Sequence, residues 1–410
     1  MNTDRARKIQ ILSSAMMIVY YVIMAASLGY FMAYLVGAGC TPGFVGILIA
    51  VYSAGAAFFQ PLLGRISDSS PFFDWKKQLF VLGGFGIIFS ILMIFLRGKT
   101  ESCILFVLVS VIVQCMGPLI FASPFYYQRY GIEVNFGKIR AFGSLSYAIA
   151  AYVLGQMISG IGLVIIPVCC SLFMFLISVI CILLPRMSEP PQSLSALTKE
   201  QRRDALLASI EHQKARSSLP IWKKYPNFPL LLTAVFFIMF TFNMVNAYLL
   251  QIVERAGGNS AMLGTAGAVG AVFEIPMIFF FTALLKRLSV TRLIIIGAIG
   301  FTLRAALYIF LASPAGVLGV TAMSCVSYAI MAPAVVYVTD RMIHPEDAIT
   351  GQAMMASAQM VCSIVSNVIF GVIYDSFGLV PVLASSAIFS LIGVILAVIA
   401  DKRCGMKPEA

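Results

Sequence analysis

Long apolar runs separated by short polar loops dominate this chain. A helix needs about 20 largely apolar residues to cross the hydrocarbon core of a bilayer. Runs of about that length cover residues 11–36, 44–63, 80–96, 104–127, 139–158, 164–184, 230–253, 262–285, 293–311, 317–338, 353–374 and 380–400. The pattern predicts an all-α membrane protein with about twelve transmembrane helices, which we number in chain order.

One long polar segment divides these runs into two equal sets. We predict an N-terminal six-helix bundle over residues 1–186, a cytoplasmic connecting loop over 187–227 and a C-terminal six-helix bundle over 228–410. Residues 198–212 of the connector fit an amphipathic helix at the membrane face or a solvated linker. Two six-helix repeats on either side of a midplane solute site are a known architecture of secondary transporters.

Composition and charge agree with a membrane protein. The chain is 60% hydrophobic and 11% charged, which excludes an ordinary soluble domain. The net charge is +11, but nearly all the cations lie in loops and no basic patch interleaved with aromatic residues predicts a nucleic-acid partner. Alternate loops hold most of the cations: Arg5, Arg7, Lys8, Arg65, Lys76, Lys77, Arg129, Lys138, Lys286, Arg287, Arg341, Lys402, Arg403 and Lys407. We therefore expect a multi-pass protein of the cell (inner) membrane with both termini cytoplasmic and the first run retained as a span.

A single carboxylate, Glu274, interrupts the middle of the eighth apolar run. An ionised carboxylate in hydrocarbon costs several kcal/mol unless it is paired, protonated or exposed to a wet cavity. Ionisable groups inside a membrane are therefore functional residues by default. The alternative is a structural glutamate that a neighbouring arginine neutralises or that stays protonated.

The cysteines, the histidines and the known catalytic motifs indicate no further reactive site in the sequence. The nine cysteines fall mostly inside apolar runs without Cys-x-x-Cys spacing, so we interpret them as small buried hydrophobic residues and not as disulfides or metal ligands. The two histidines, His212 and His344, lie in polar loops, which argues against a buried histidine proton relay. No phosphate loop, metal motif or catalytic triad occurs, so we expect neither an enzyme nor a cofactor.

Two stretches resemble a known family. Residues 64–68 read Gly-Arg-Ile-Ser-Asp at the end of the second helix, and residues 371–378 read Gly-Val-Ile-Tyr-Asp-Ser-Phe-Gly at the end of the eleventh. The first resembles the Gly-x-x-x-Asp motif of the major facilitator superfamily, although the basic residues that follow it are delayed to Lys76 and Lys77. The resemblance implies the major facilitator fold, a single working chain, and gating roles for Arg65, Asp68 and Asp375. Helix capping is the alternative for Asp68.

A narrower resemblance covers most of the chain. The stretches 58–68, 135–143 (Asn-Phe-Gly-Lys-Ile-Arg-Ala-Phe-Gly) and 297–304 (Gly-Ala-Ile-Gly-Phe-Thr-Leu-Arg) are similar to the lactose-permease branch of oligosaccharide:proton symporters. Nucleoside:proton symporters share something close to the second stretch. In the lactose-permease branch, an arginine on helix five binds sugar hydroxyls and an aromatic residue two turns later stacks on the sugar ring. Arg140 and Tyr147 match these positions, and Ser144 lies on the same helical face. The alternative makes Arg140 a topology anchor and Tyr147 a packing residue.

The same resemblance assigns proton coupling to Glu274 on helix eight and to Arg304, which matches an arginine of helix nine. The rest of the family's charged network is replaced, because its positions fall on Asn243, Asn246, Tyr328, Met331, Gln359 and the neighbourhood of Tyr127. Neutral amides and phenols still suit a hydroxylated solute, so we expect Asn243, Asn246, Tyr328 and Gln359 to contribute to substrate binding.

These observations predict a secondary active transporter that couples a proton to a sugar or similar neutral hydroxylated solute by alternating access. In this hypothesis Glu274 carries the proton and Arg304 controls its proton affinity. A nucleoside:proton symporter, an exporter of amphipathic compounds and a non-transporting receptor or scaffold remain alternatives. The expected partners are a small-molecule solute, the proton and membrane lipid.

Overall fold

The structure is a computed structural model that describes residues 2–69, 75–128, 132, 134–185, 221–343 and 348–406. The described part is helical, and twelve of its helices are long and apolar enough to cross a membrane. This confirms the predicted all-α membrane fold. Most of the predicted connecting loop lies outside the described residues, apart from a short helix at Ile221–Lys224.

Ten of the spans are single helices. Their bounds are Pro42–Ser69, Trp75–Phe95, Lys99–Gln128, Phe136–Ile161 and Ile165–Leu183 for the second to the sixth, Phe228–Arg255, Ser260–Leu285 and Val290–Phe310 for the seventh to the ninth, and Ala348–Phe377 and Leu379–Cys404 for the eleventh and twelfth. The even number of spans puts Asn2 and Cys404 at one face. We call this the terminal face and the opposite one the distal face.

The first and tenth spans are interrupted, whereas the sequence predicts continuous helices. The first consists of Asn2–Met24, a π-helical turn at Ala25–Gly29 and a short helix at Phe31–Gly37. The tenth consists of Pro314–Ala322, a 3-10 turn at Met323–Cys325 and Tyr328–Met342. π-helical and 3-10 turns inside helices are often found at functional sites.

Small residues let the two halves approach each other. The second span packs against the eleventh, and the fifth packs against the eighth. A Cβ on Gly155 of the fifth span would lie 2.9 Å from the Cα of Gly264 on the eighth and 2.8 Å from the Tyr30 hydroxyl. Close contact of this kind between small residues is a common way to join helices in membranes. Because Gly155 and Gly264 lie near the distal ends of their helices, this contact closes the distal face.

Candidate functional site

A cavity of about 460 Å³ lies between the two halves. That volume is in the range of small-molecule sites. The first, second, fourth and fifth spans line it from one half, and the seventh to the eleventh spans line it from the other. The π-helical turn of the first span and the break in the tenth both face it. The cavity is therefore enclosed by the helices that a rocking motion of the halves would move.

Three charged side chains line this one cavity: Glu274, Arg140 and Arg304. Glu274 is half-buried, Arg140 is exposed and Arg304 is almost fully buried. Within the described part of the chain, no salt bridge joins Glu274 to either arginine. Both guanidinium groups line the same cavity as the carboxylate and therefore act on it electrostatically. Glu274 and Arg304 therefore share one cavity, as expected, but they form no ion pair in the described part of this structure.

The break in the tenth span positions Arg304. Its Nη1 donates a hydrogen bond of 3.1 Å to the Ser327 hydroxyl, which lies at this break. Ser327 in turn donates to the carbonyl oxygen of Met323. The Nε of Arg304 is buried and has no hydrogen-bond partner among the described atoms. A buried guanidinium N–H without a hydrogen-bond partner costs free energy. In this structure Arg304 has such a donor at its Nε.

On the opposite wall, Arg140 is held by neighbours from two spans. Its Nη1 donates to the Ser144 hydroxyl at 2.8 Å, and its guanidinium lies 4.9 Å from the centre of the Tyr21 ring. Tyr147 meets the Tyr21 ring edge-on, with centroids 6.4 Å apart. The structure thus brings the predicted residues Arg140, Ser144 and Tyr147 together. It adds Tyr21 of the first span to this group.

The C-terminal half supplies aromatic and amide groups. Phe242 and Tyr328 stack with centroids 4.5 Å apart and planes 9° apart. Asn243 and Asn246 both line the cavity, and Asn243 donates to the Cys362 sulfur at 3.4 Å.

The predicted residue Gln359 is not among the cavity-lining residues, although Ser363 and Asn367 of the same span are. Gln114 and Ser324 also line the cavity, and the sequence reading missed both. Gln114 is an isolated amide within the fourth apolar run, which is a signal that could have identified it.

The gating residues fall into two groups. Asp375 lies at the distal face, where its carboxylate accepts hydrogen bonds from the Gly43 backbone amide at 3.1 Å and from the Thr41 hydroxyl at 3.0 Å. Arg65 and Asp68 lie in the last turns of the second-span helix, and their side chains are outside the described part of the structure. The described residues contain no group of histidine, cysteine or acidic side chains able to hold a metal ion.

Comparison with known proteins identifies the family. Residues 11–382 match the model of the MFS_1 like family. The chain belongs to that family. It is therefore a secondary transporter of the major facilitator superfamily and not an enzyme. No curated protein matches the chain.

Solved structures of this fold support the same architecture. A mutant of the nucleoside transporter NupG superimposes with a TM-score of 0.76 at 14% identity, covering 96% of this chain and 99% of that one. The unmutated transporter NupG gives 0.73 at 15% identity, with 98% and 100% covered. An auto inhibited POT family peptide transporter gives 0.68 at 11% identity, with 99% and 98% covered. At these identities the likeness shows the shared fold alone.

Proposed function

We propose that this transporter couples the movement of a proton to that of a neutral hydroxylated solute, with a sugar as the first candidate. The observation that carries the proposal is the convergence of Glu274, Arg140 and Arg304 on one cavity between the two halves. A carboxylate that alternates between protonated and ionised states can carry a proton, and guanidinium groups offer donors to hydroxyls. The nucleoside and peptide transporters of similar fold make solute transport of this general kind reasonable.

Glu274 is the proposed proton carrier. With Glu274 ionised, the three side chains sum to +1 (two guanidinium groups and one carboxylate), and protonation raises the sum to +2. Protonation therefore releases both arginines from attraction to the carboxylate. Arg304 keeps its bond to Ser327 in either case, so the change acts on the part of its guanidinium group that Ser327 does not hold. The change in charge is the proposed signal that alters which face of the cavity is open.

Solute recognition is assigned to the opposite wall. Arg140 and Ser144 present donors and a hydroxyl, and the rings of Tyr21 and Tyr147 present flat apolar surfaces beside them. A sugar has a hydroxylated rim and an apolar face, so it fits both kinds of group. The likeness to the lactose-permease branch supports the same roles for Arg140 and Tyr147.

A nucleoside is the second candidate, because of the stacked pair formed by Phe242 and Tyr328. A planar base extends such a stack, and the amides of Asn243 and Asn246 beside it match the donors and acceptors of a base edge. The nucleoside transporters that superimpose on this chain support this candidate as well.

We infer that the distal gate is closed in this conformation. The distal face is held by Asp375 on Gly43 and by the contact of Gly155 with Gly264. We assign Asp375 to the distal gate. Arg65 and Asp68 are assigned, on the family motif, to closing the terminal face when the distal face opens.

Transport by purified protein in vesicles tests the proposal. A panel of sugars and nucleosides is offered with an inward proton gradient, with the reversed gradient and with none. We expect the vesicles to concentrate either the sugars or the nucleosides when the proton gradient is directed inward. Stimulation of transport by a proton gradient of the opposite direction would favour the exporter of amphipathic compounds.

In Glu274→Gln, concentrative uptake should be lost while exchange of solute continues. The matched control is Glu254→Gln, because Glu254 is exposed at the end of the seventh span. Undiminished concentrative uptake by Glu274→Gln would refute the assignment.

A further inference from the structure

Two cysteines meet at the distal face, away from the transport cavity. Cys40 lies in the turn that joins the first and second spans, and Cys103 lies near the start of the fourth-span helix Lys99–Gln128. Their sulfur atoms are 3.3 Å apart. Both side chains are buried, with 5% of Cys40 and 8% of Cys103 exposed, and both are free thiols in the structure. Two thiols from segments 63 positions apart in sequence are therefore in direct contact.

The location of this pair determines its redox environment. If both termini are cytoplasmic, the distal face lies outside the cytoplasm. Disulfides form and persist in extracytoplasmic compartments, whereas cytoplasmic thiols are kept reduced. The two sulfur atoms would have to move from 3.3 Å apart to about 2.05 Å, the length of a disulfide bond.

We propose that Cys40 and Cys103 form a structural disulfide in the membrane-inserted protein. The oxidant is a protein disulfide of the extracytoplasmic compartment, acting by thiol–disulfide exchange before the pair becomes buried. The thiolate of one cysteine attacks the carrier disulfide and gives a mixed disulfide and one carrier thiol. The second cysteine then displaces the carrier as its other thiol. Two electrons and both thiol protons pass to the carrier, so one disulfide is exchanged for another.

The consequence for the transporter concerns the distal gate. Cys40 directly precedes Thr41, whose hydroxyl donates to Asp375 across the interface between the halves. A bond from Cys40 to Cys103 fixes this donor segment to the fourth span, inside the N-terminal half. Because both cysteines belong to the N-terminal half, the disulfide leaves the halves free to rock. It holds the Thr41 segment of the distal gate in place.

Counting thiols in the full-length protein tests the proposal. Membranes are dissolved in a denaturant that contains N-ethylmaleimide, so that every free thiol is blocked. The protein is then reduced and labelled with a maleimide–polyethylene glycol reagent. Of the nine cysteines, the seven that remain free are already blocked, so we expect two labels after reduction and none without it. Mass spectrometry of the unreduced wild-type digest should show one peptide pair joining Cys40 to Cys103.

The variants sharpen this test. Cys40→Ser and Cys103→Ser should each remove the two reducible labels, and Cys115→Ser, a buried cysteine of the same fourth span, should keep both. The wild-type peptide map needs no variant to fold, so it gives a result in every case. The absence of label after reduction, or a joined pair containing any other cysteine, would overturn the proposal.

Discussion

The carboxylate of Asp375 on the eleventh span accepts a 3.1 Å hydrogen bond from the backbone amide of Gly43, in the first turn of the second-span helix. The first amides of a helix have no partner within that helix, and its N-terminus carries partial positive charge. Asp375 therefore caps a helix of the other half of the molecule. The contact can exist only while the distal face is closed, so it stabilises that state selectively.

Removing this cap should shift the equilibrium toward a distal-open state. A helix cap contributes about 1 kcal/mol, so Asp375→Ala should raise the distal-open population roughly fivefold. The measurement uses a second substitution, Ile49→Cys, which puts a thiol in the cavity wall. An impermeant maleimide is added at the distal side, and the rate of labelling is measured. The labelling of the same protein without that thiol is subtracted. Asp375→Asn keeps one acceptor oxygen and should give a smaller increase. An unchanged labelling rate in Asp375→Ala would show that the cap does not hold the gate.

A methyl group on Gly155 should open the same face by a different route. The new Cβ would lie 2.9 Å from the Gly264 Cα, so the fifth and eighth spans must separate. Overpacking of this kind costs about 1–3 kcal/mol, and the part of that cost that arises against the eighth span falls only on the distal-closed state. We expect faster labelling of Ile49→Cys and slower transport. Gly160→Ala is the matched control on the same helix, because its Cβ would meet nothing within 4 Å. Equal behaviour of the two variants would contradict the prediction.

Arg140 should tolerate lysine poorly. The guanidinium bonds Ser144 and lies over the Tyr21 ring at the same time, and the compact ammonium of lysine cannot reproduce a planar group that does both. We expect Arg140→Lys to raise the KM for the transported solute by about tenfold or more, which corresponds to roughly 1.4 kcal/mol of lost binding. Initial uptake rates over a range of solute concentrations measure this change. Arg292→Lys is the control, since Arg292 pairs with Asp401 away from the cavity. An unaltered KM in Arg140→Lys would assign Arg140 to topology instead.

Neutralising Arg304 should alter the pH profile of uptake. A nearby positive charge favours an ionised carboxylate, so its removal favours the protonated one. In Arg304→Gln, Glu274 should keep its proton to higher pH, and the alkaline limb of the uptake profile should shift to more alkaline pH. Arg304→Lys, which keeps the charge, should leave the limb near its original position. The same shift in both variants would indicate a structural effect of the substitution and not an effect of charge.

The apolar runs could be read directly from the sequence, and so could Glu274. Every span requires about 20 apolar residues whatever its neighbours are, so run length alone predicts the helices. A carboxylate in the middle of a run is equally visible. The breaks at Ala25–Gly29 and Met323–Cys325 were not predictable, because a run remains apolar whether its backbone is α-helical, π-helical or 3-10. The sequence also did not show which side of the eleventh span faces the cavity. Asn367 lines the cavity, whereas Gln359, which we predicted to do so, does not.

The order of residues alone predicts which segments lie in the membrane, the even number of spans that puts both termini at one face, and the one acid in the middle of a span. Which side chains meet depends on the packing of the helices. Asp375 and Gly43 are 332 positions apart, and Arg140 meets Tyr21 from a different helix. Lys76, which the sequence offered as a loop cation, is buried and donates to the carbonyl oxygens of Leu184 and Pro185. The physical reason is that hydrophobicity acts on each segment separately, whereas hydrogen bonds and ring contacts depend on how the helices pack.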